Sequence, residues 1–386
     1  MRVLHLFDWY LPSTLSWVSR LLWHLPETDV WVAAPWVLQN QFADPHWRYF
    51  TWPPQRWFFP KLHTEGEYPL AKRLYTRSQR FLPAYRWWLA QQLRDTPPDV
   101  LHAHFGPTGC LYLPLAKQLK RPLVVTFYGF DYRKLLLHRP VFRKKYKDLF
   151  AGAARVLAAS PRGCQALEEL GCPPEKLAIV RPSPDLKHFP FAERHKPAGR
   201  LRLLQAATIT AKKGHLTTLE ALRRVAGEYP VHLTLAGEPY DAGLVRQLRE
   251  FVARHRLETR VEWLGPVPHL QMAAFFERFD AFVHPSCTAP DGDHEATPVV
   301  LLEAQASGLP VLATQHFDLP DQVAHGQAGW LVPEGDADAL AEAMRMFCRM
   351  PEQAYLEFSR NARAGVEAGF QVQQSALALR KIYQEL

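Results

Sequence analysis

Cysteine is scarce: five are scattered over 386 residues, at 110, 164, 172, 287 and 348, with no Cys-x-x-Cys pair. An odd, dispersed set of this kind excludes a disulfide framework and suits a reducing compartment. No apolar run approaches the roughly 20 residues needed to span a bilayer. The opening MRVLHLFDWYLP reads as a first strand and lacks the layout of a signal peptide, so a cytoplasmic chain is expected. Internal repeats and low-complexity segments are absent as well. Acids are in deficit, 38 against 46 lysines and arginines, which leaves a net charge of +8. What remains, at 47% hydrophobic, is enough for two domains with sizeable cores.

Short apolar runs alternate with helical periods along the whole chain. The first half predicts strands near 2–7, 29–34, 99–103, 122–127, 154–158 and 177–180, with helices at about 14–25, 67–94, 108–119, 138–151 and 161–170. The second half predicts strands near 201–207, 231–236, 260–264, 280–284, 309–313 and 328–332. Fully apolar strands between helices imply buried parallel sheets. The polar stretch AERHKPAGR, residues 192–200, reads as a linker between domains at 1–191 and 201–369. The expected fold class is α/β, two Rossmann-like, doubly wound domains facing across a cleft, with ligands at the carboxyl ends of the strands.

The most informative segment is EATPVVLLEAQASGLPVLAT, residues 295–314. Pro298 stands where a helix can begin, and Gly308-Leu309-Pro310 ends it before an apolar strand. Proline suits a helix start because its missing N–H would be unpaired there. The amides that follow, Val299 and Val300, sit at the positive end of the helix dipole and form an anion site. Glu295 precedes that site and Glu303 lies further along the helix. Two carboxylates flanking a bound phosphate suit the hydroxyls of a nucleotide sugar. From spacing alone, a solvated helix with two surface acids reads the same way.

The surroundings add the rest. LLQAATITAKKGHLTTLEAL reads as strand, loop, Lys212-Lys213-Gly214, helix, and an ammonium at that turn can meet phosphate oxygens. Ala236-Gly237-Glu238, Leu264-Gly265-Pro266-Val267 and Pro285-Ser286 follow in order, and then Glu295 and Glu303 in E-x7-E spacing. This order resembles the C-terminal half of the group 1 glycosyltransferases, the retaining family four with the GT-B fold. The loop PSCTAPDGDHE is similar to the subgroup that builds colanic acid and amylovoran. The resemblance implies retaining, metal-independent transfer from a nucleotide-diphosphate sugar to a glycan or lipid-linked glycan in surface polysaccharide synthesis. It assigns Lys213 and Glu295 to catalysis, with Thr208, Lys212, Gly237, Leu264, Gly265, Pro298, Val299, Val300 and Glu303 binding the donor. It also implies that the last helix, 370–386, crosses back onto the first domain.

In the first domain, DVLHAHFGPTG puts His104 at a strand end, and the next strand ends VTFYGFD. Both His104 and Tyr128 are expected to contact the sugar or phosphate. Many relatives carry histidine where Tyr128 stands, and a phenol donates a hydrogen bond without becoming a cation. Thr208 similarly occupies the place of the family's phosphate-binding arginine, which shifts that charge to Lys213 and the helix amides. Asp291-Gly292-Asp293 matches an Asp-x-Asp metal motif, but two carboxylates are a thin ligand set and no metal or other cofactor is expected. The basic, apolar run RKLLLHRPVFRKKYKDLF at 133–150 and the aromatics of 47–59 suit docking on an anionic inner membrane surface. No zinc-finger or RNP motif accompanies the charge, so nucleic acid is not expected as a partner. A nucleotide-sugar epimerase or phosphorylase on the same fold, or a basic binding protein, are the alternatives.

Overall fold

The short apolar runs pair into two all-parallel sheets, one of seven strands and one of six. The computed structural model describes residues 1–10, 16–37, 42–51, 82–196 and 198–386. They divide into two units, Met1–Pro182 with Val372–Leu386, and Ser183–Gln371.

The first unit contains β1 (Arg2–Leu6), β2 (Trp9–Tyr10), β3 (Asp29–Ala33), β4 (Trp36–Val37), β5 (Arg48–Phe50), β6 (Val100–His104), β7 (Leu123–Thr126), β8 (Arg155–Ala158) and β9 (Leu177–Ile179). Its large sheet runs β5-β3-β1-β6-β7-β8-β9, and β2 pairs with β4 beside it. The strand order therefore reverses between β1 and β6. On one face Val3, Val30, Val100 and Val124 pack under the helix Val372–Gln384, which buries Val372, Ala376, Leu379 and Tyr383 at helical spacing. The last helix thus belongs to the first unit.

The second unit contains β10 (Leu201–Ala206), β11 (Val231–Ala236), β12 (Val261–Gly265), β13 (Ala281–His284), β14 (Val311–Thr314) and β15 (Gly329–Val332), in the order β12-β11-β10-β13-β14-β15. Here the reversal falls between β10 and β13. Both units use one device at the entry of the first strand. Asp99 accepts the Arg2 N–H at 2.7 Å, and Asp280 accepts the Arg202 N–H at 2.7 Å and its guanidinium as well.

Two expectations differ from what is seen. The units part between Pro182 and Ser183, so 192–200 lies inside the second unit and not between domains. The cause is Arg194, whose buried guanidinium donates to the carbonyls of Ser307 and Phe276 and so ties the stretch down. The aromatics at 47–50 include the edge strand β5, with Phe50 in the core and Tyr49 donating to the Asp44 carbonyl. Residues 52–59 of that cluster, and 67–81 of the expected 67–94 helix, lie outside the described residues. The run 133–150 forms helices Lys134–His138 and Val141–Gly152, whose Leu135, Leu136, Tyr146, Leu149 and Phe150 are buried. Its Arg139, Arg143, Lys144, Lys145 and Lys147 are exposed, beside exposed Leu137 and Val141.

Candidate functional site

In an open parallel sheet, the loops leaving adjacent strands diverge where the strand order reverses, and the crevice they open binds ligands. At the β10/β13 reversal one side is the Lys-Lys-Gly turn, a 3-10 turn at Ala211–Lys213. Buried Gln205 of β10 donates to the Lys213 carbonyl at 2.8 Å and fixes the turn from below. Gly214 has φ +66, and a Cβ there would lie 1.9 Å from the Pro285 carbonyl oxygen, so only glycine lets the turn rest on the end of β13. Gly237 closes the β11 end in the same way, its missing Cβ facing the Ala207 carbonyl. Its N–H donates to the Gly265 carbonyl at 2.8 Å, which joins the ends of β11 and β12.

The Lys213 ammonium pairs with the Glu295 carboxylate, both side chains only 13% exposed. Burial, with Lys212 adding a like charge, pushes Lys213 down to about 7, against the opposing pull of Asp293. His284, fully buried at the end of β13, aims Nε2 at the same carboxylate from 3.8 Å. The backbone of Glu295 is held independently: its N–H donates to His316 Nε2 at 3.0 Å, and His316 Nδ1 in turn donates to Glu334 at 2.7 Å. Lys212 turns away from this pair and bonds Asp293 and the His294 carbonyl, each at 3.3 Å.

The expected helix is Val299–Ala306, and Pro298 is the residue that caps it. The Leu301 N–H turns back to the Pro298 carbonyl, whereas those of Val299 and Val300 find no acceptor among the described residues. Glu303 is 3% exposed and accepts a 2.9 Å hydrogen bond from His269 Nε2, from the turn that follows β12. Thr208 lies in the loop after β10, half-buried, with its N 3.2 Å from where a Gly237 Cβ would stand.

Residues 189–365 match the model of the group 1 glycosyl transferases, and residues 50–183 match that of a glycosyl transferase 4-like domain. WcaL of Salmonella typhimurium, named for colanic acid biosynthesis, is 34% identical over 74% of this chain and 70% of its own. The amylovoran biosynthesis glycosyltransferase AmsK of Erwinia amylovora is 33% identical over 76% of this chain and 71% of its own. The chain belongs to the group 1 glycosyltransferases. Its fold is GT-B: the Anabaena HepE structure in complex with UDP and glucose superposes with a TM-score of 0.76, covering 100% of both chains at 19% identity.

Of the positions expected in this glycosyltransferase, the second unit gathers Lys213, Glu295 and the start of the 299–306 helix around one strand reversal. His104 departs from expectation. It is fully buried, and both ring nitrogens are engaged, Nδ1 with the Tyr128 hydroxyl at 2.6 Å and Nε2 with His5 Nδ1 at 3.1 Å. It can therefore reach a ligand only through Tyr128. One ring nitrogen from each of His5, His102 and His104 lies within 4.8 Å of the other two, close enough to raise the question of a metal. However, the His102 and His104 rings stack at 24°, so their lone pairs run side by side and do not converge. His102 is also committed, to Tyr383 at 2.5 Å and Thr126 at 2.7 Å.

Asp131, which has no signal of its own in the sequence, fixes the loop carrying Tyr128. Its carboxylate accepts the N–H groups of Gly106 at 2.9 Å and Tyr128 at 3.0 Å. Burial nevertheless raises it to about 6. For an acid raised in the fold, the contribution to stability is present below its unfolded value and is lost as pH rises through about 6. Asp131→Ala orphans two buried N–H groups, so it is expected to cost about 1–3 kcal/mol for each, read by chemical denaturation. Asp131→Asn keeps one acceptor and is expected to cost less, with a flatter stability profile between pH 4 and 6. The first unit also holds a groove of ≈ 1400 Å³, with Arg86, Lys117 and Lys145 around Leu113, Pro114 and Phe142. Among the described residues no helix is long and apolar enough to cross a membrane.

Proposed function

We infer that this glycosyltransferase moves a sugar from a nucleotide-diphosphate sugar to a glycan or lipid-linked glycan in surface polysaccharide synthesis, with retention and without a metal. The observation that carries the reading is the β10/β13 strand reversal, where Lys213, Glu295 and two unpaired helix amides are gathered. WcaL and AmsK, named for two exopolysaccharides, support the product class, and UDP with glucose in HepE supports the donor class.

In this reading the incoming diphosphate replaces Glu295 as the partner of Lys213, and the Val299 and Val300 amides share the charge that grows on the leaving phosphate. Glu295 is released to the hydroxyls of the sugar. Glu303 takes the ribose, sharing its carboxylate with His269. The backbone of Gly237, Leu264 and Gly265 meets the base, with Thr208, Lys212 and Pro298 at the margins of the site. In the first unit, Tyr128 carries a hydroxyl suited to a hydrogen bond with a sugar, with His104 behind it. The acceptor hydroxyl attacks on the face the phosphate leaves and passes its proton to that phosphate, so no general base is called for. Asp293, already neutralised by Lys212, is poorly suited to hold a cation as well. The groove and the exposed bases of 139–147 suit an acceptor presented at an anionic membrane surface on the cytoplasmic side.

Thermal unfolding against UDP, GDP, ADP, TDP and their sugars, with and without EDTA, tests this. A ligand at about 100 times its Kd adds roughly 2.7 kcal/mol, several degrees for units of this size. One nucleotide is expected to raise Tm regardless of EDTA, and Lys213→Ala to abolish the rise. No shift with any nucleotide would sink the donor site. A shift that needs manganese would sink the metal-free mechanism.

A further inference from the structure

The loop between β13 and the 299–306 helix is gripped from the ends of two later strands, and the transfer reaction, as derived above, leaves that grip unexplained. The Glu334 carboxylate, just past β15, reaches both ends of the loop. One oxygen accepts the Thr288 N–H at 2.8 Å, at the loop's start. The other meets His316 Nδ1 at 2.7 Å, and His316 Nε2 accepts the Glu295 N–H at 3.0 Å, at the loop's end. Three successive residues after β14 then meet 295, 294 and 297. His316 holds the Glu295 backbone, the Phe317 ring packs edge-on against His294 with centroids 4.7 Å apart, and Asp318 accepts the Thr297 hydroxyl at 3.2 Å. Phe317 takes φ +39, a left-handed backbone unfavourable for a bulky residue, between two buried side chains that both bind this segment.

The contacts of His316 leave its ring one tautomer. A backbone N–H can only donate, so Nε2 must be bare, and the proton sits on Nδ1 facing Glu334. An imidazolium would set Nε2–H against the Glu295 N–H, two donors with no acceptor between them. Burial raises Glu334, but hydrogen bonds from His316 and from the backbone and side chain of Thr288 outweigh it, and the carboxyl is held below its ordinary range. An ionised acceptor on Nδ1–H fixes both the tautomer and the orientation of a ring that is only 2% exposed. In the reading above, the diphosphate takes Lys213 away from Glu295. What then still sets the place of the Glu295 carboxylate is its backbone, anchored by His316, with His284 Nε2 3.8 Å from the carboxylate.

We propose that His316, held as its Nδ1–H tautomer by Glu334, is a positioning residue that fixes the Glu295 backbone so that the Glu295 carboxylate meets the donor sugar. All of these residues belong to the second unit, and the role rests on the reading above in which Glu295 meets that sugar. It explains why one carboxylate and one histidine, from the ends of two different strands, converge on the two ends of a single loop.

The test sets two amides against each other at position 316. In His316→Asn the amide stands near the Nδ1 position and still donates to Glu334. In His316→Gln the amide oxygen stands near the Nε2 position and still accepts from Glu295. The readout is the affinity of the full chain for the nucleotide sugar selected by the unfolding panel, relative to its bare nucleotide, with stability measured alongside. Glu295→Ala and His316→Asn are each expected to lower that ratio roughly tenfold or more, the scale of one hydrogen bond to a charged group. His316→Gln should retain most of it, and the double variant Glu295→Ala/His316→Asn should lose no more than Glu295→Ala alone. Equal losses in His316→Asn and His316→Gln, or a further loss in the double variant, overturn the proposal, since the ring then supports the fold and not the carboxylate. An unchanged ratio in Glu295→Ala removes the sugar contact itself, whatever His316 does. Loss in Glu295→Ala with none in a folded His316→Asn overturns only the positioning role. A long-range proton–nitrogen correlation spectrum of the chain with ¹⁵N-labelled histidine, with His316 assigned from His316→Gln, reads the tautomer directly. Nδ1–H is expected, and Nε2–H or an imidazolium overturns the proposal. If His316→Asn does not fold, that spectrum and the retained ratio in His316→Gln decide, and failure of either overturns it.

Discussion

Lys213→Ala is expected to lower turnover roughly 10²-fold or more, the scale for removing one preorganised group that stabilises charge in a transition state. Glu303→Ala is expected to lose about as much, because its carboxylate is buried and already oriented by His269. Wild-type kinetics for both variants would remove the site assignment. Lys213 also carries a pH signature. Its ammonium is lowered to about 7, so the charge that attracts a diphosphate is present on the acid side and is lost as pH rises through that value. The diphosphate diester of a nucleotide sugar has no proton to lose in this range. Therefore kcat/KM for the donor should fall above about pH 7, and Lys213→Arg should flatten that limb whatever its rate, since a guanidinium stays charged. The effect on stability has the opposite sign. A lysine lowered in the fold binds fewer protons than the unfolded chain between about 7 and the ordinary lysine value of 10.5, so its contribution to stability rises with pH there. Opposite trends for binding and stability separate the loss of a charge from general unfolding at alkaline pH.

The turn that carries Lys213 was legible in the sequence because its setting is local. A strand, a Lys-Lys-Gly turn and a helix lie within 20 residues, and a buried strand is a continuous apolar run that the eye can bound. Strands expected at 201–207, 231–236 and 260–264 begin and end within a residue of β10, β11 and β12. The E-x7-E segment was legible for the same reason, since Pro298 and Gly308 bracket its helix. What escaped notice depends on partners far along the chain. Glu303 meets His269 across 34 residues, and His5 meets His104 across 99. A histidine inside RVLHL counts simply as a polar interruption until its neighbouring strand is known. The break at 182/183 was hidden in a similar way. AERHKPAGR looks like linker because it is polar, yet the Arg194 guanidinium is buried and binds carbonyls up to 113 residues away. Three-residue β5 was missed because aromatic residues at 47–50 read as surface anchors, and only its register with β3 shows otherwise.

Gly214→Ala is expected to damage both stability and the donor site. Two costs fall on it. The first is conformational, since φ +66 is a left-handed backbone that costs an L-residue about 1–2 kcal/mol. The second is steric: the new Cβ would stand 1.9 Å from the Pro285 oxygen and 2.9 Å from its carbonyl carbon, backbone atoms that cannot rotate away. Gly335→Ala separates the two, because Gly335 has φ +72 with nothing among the described residues within 4 Å of its added methyl. Gly335→Ala should therefore lower Tm by a few degrees, at about 2–4 °C per kcal/mol for a domain of 150–250 residues, and leave transfer intact. Gly214→Ala should lower Tm further. It must also lift the Lys-Lys turn off the end of β13, which draws Lys213 away from Glu295 and the helix amides. A displacement near 1 Å is enough to cost about 10²-fold in rate, so nucleotide affinity and turnover should fall together. Equal melting and equal turnover in the two alanine variants would mean that the turn relaxes freely. The contact with Pro285 would then have no part in placing Lys213.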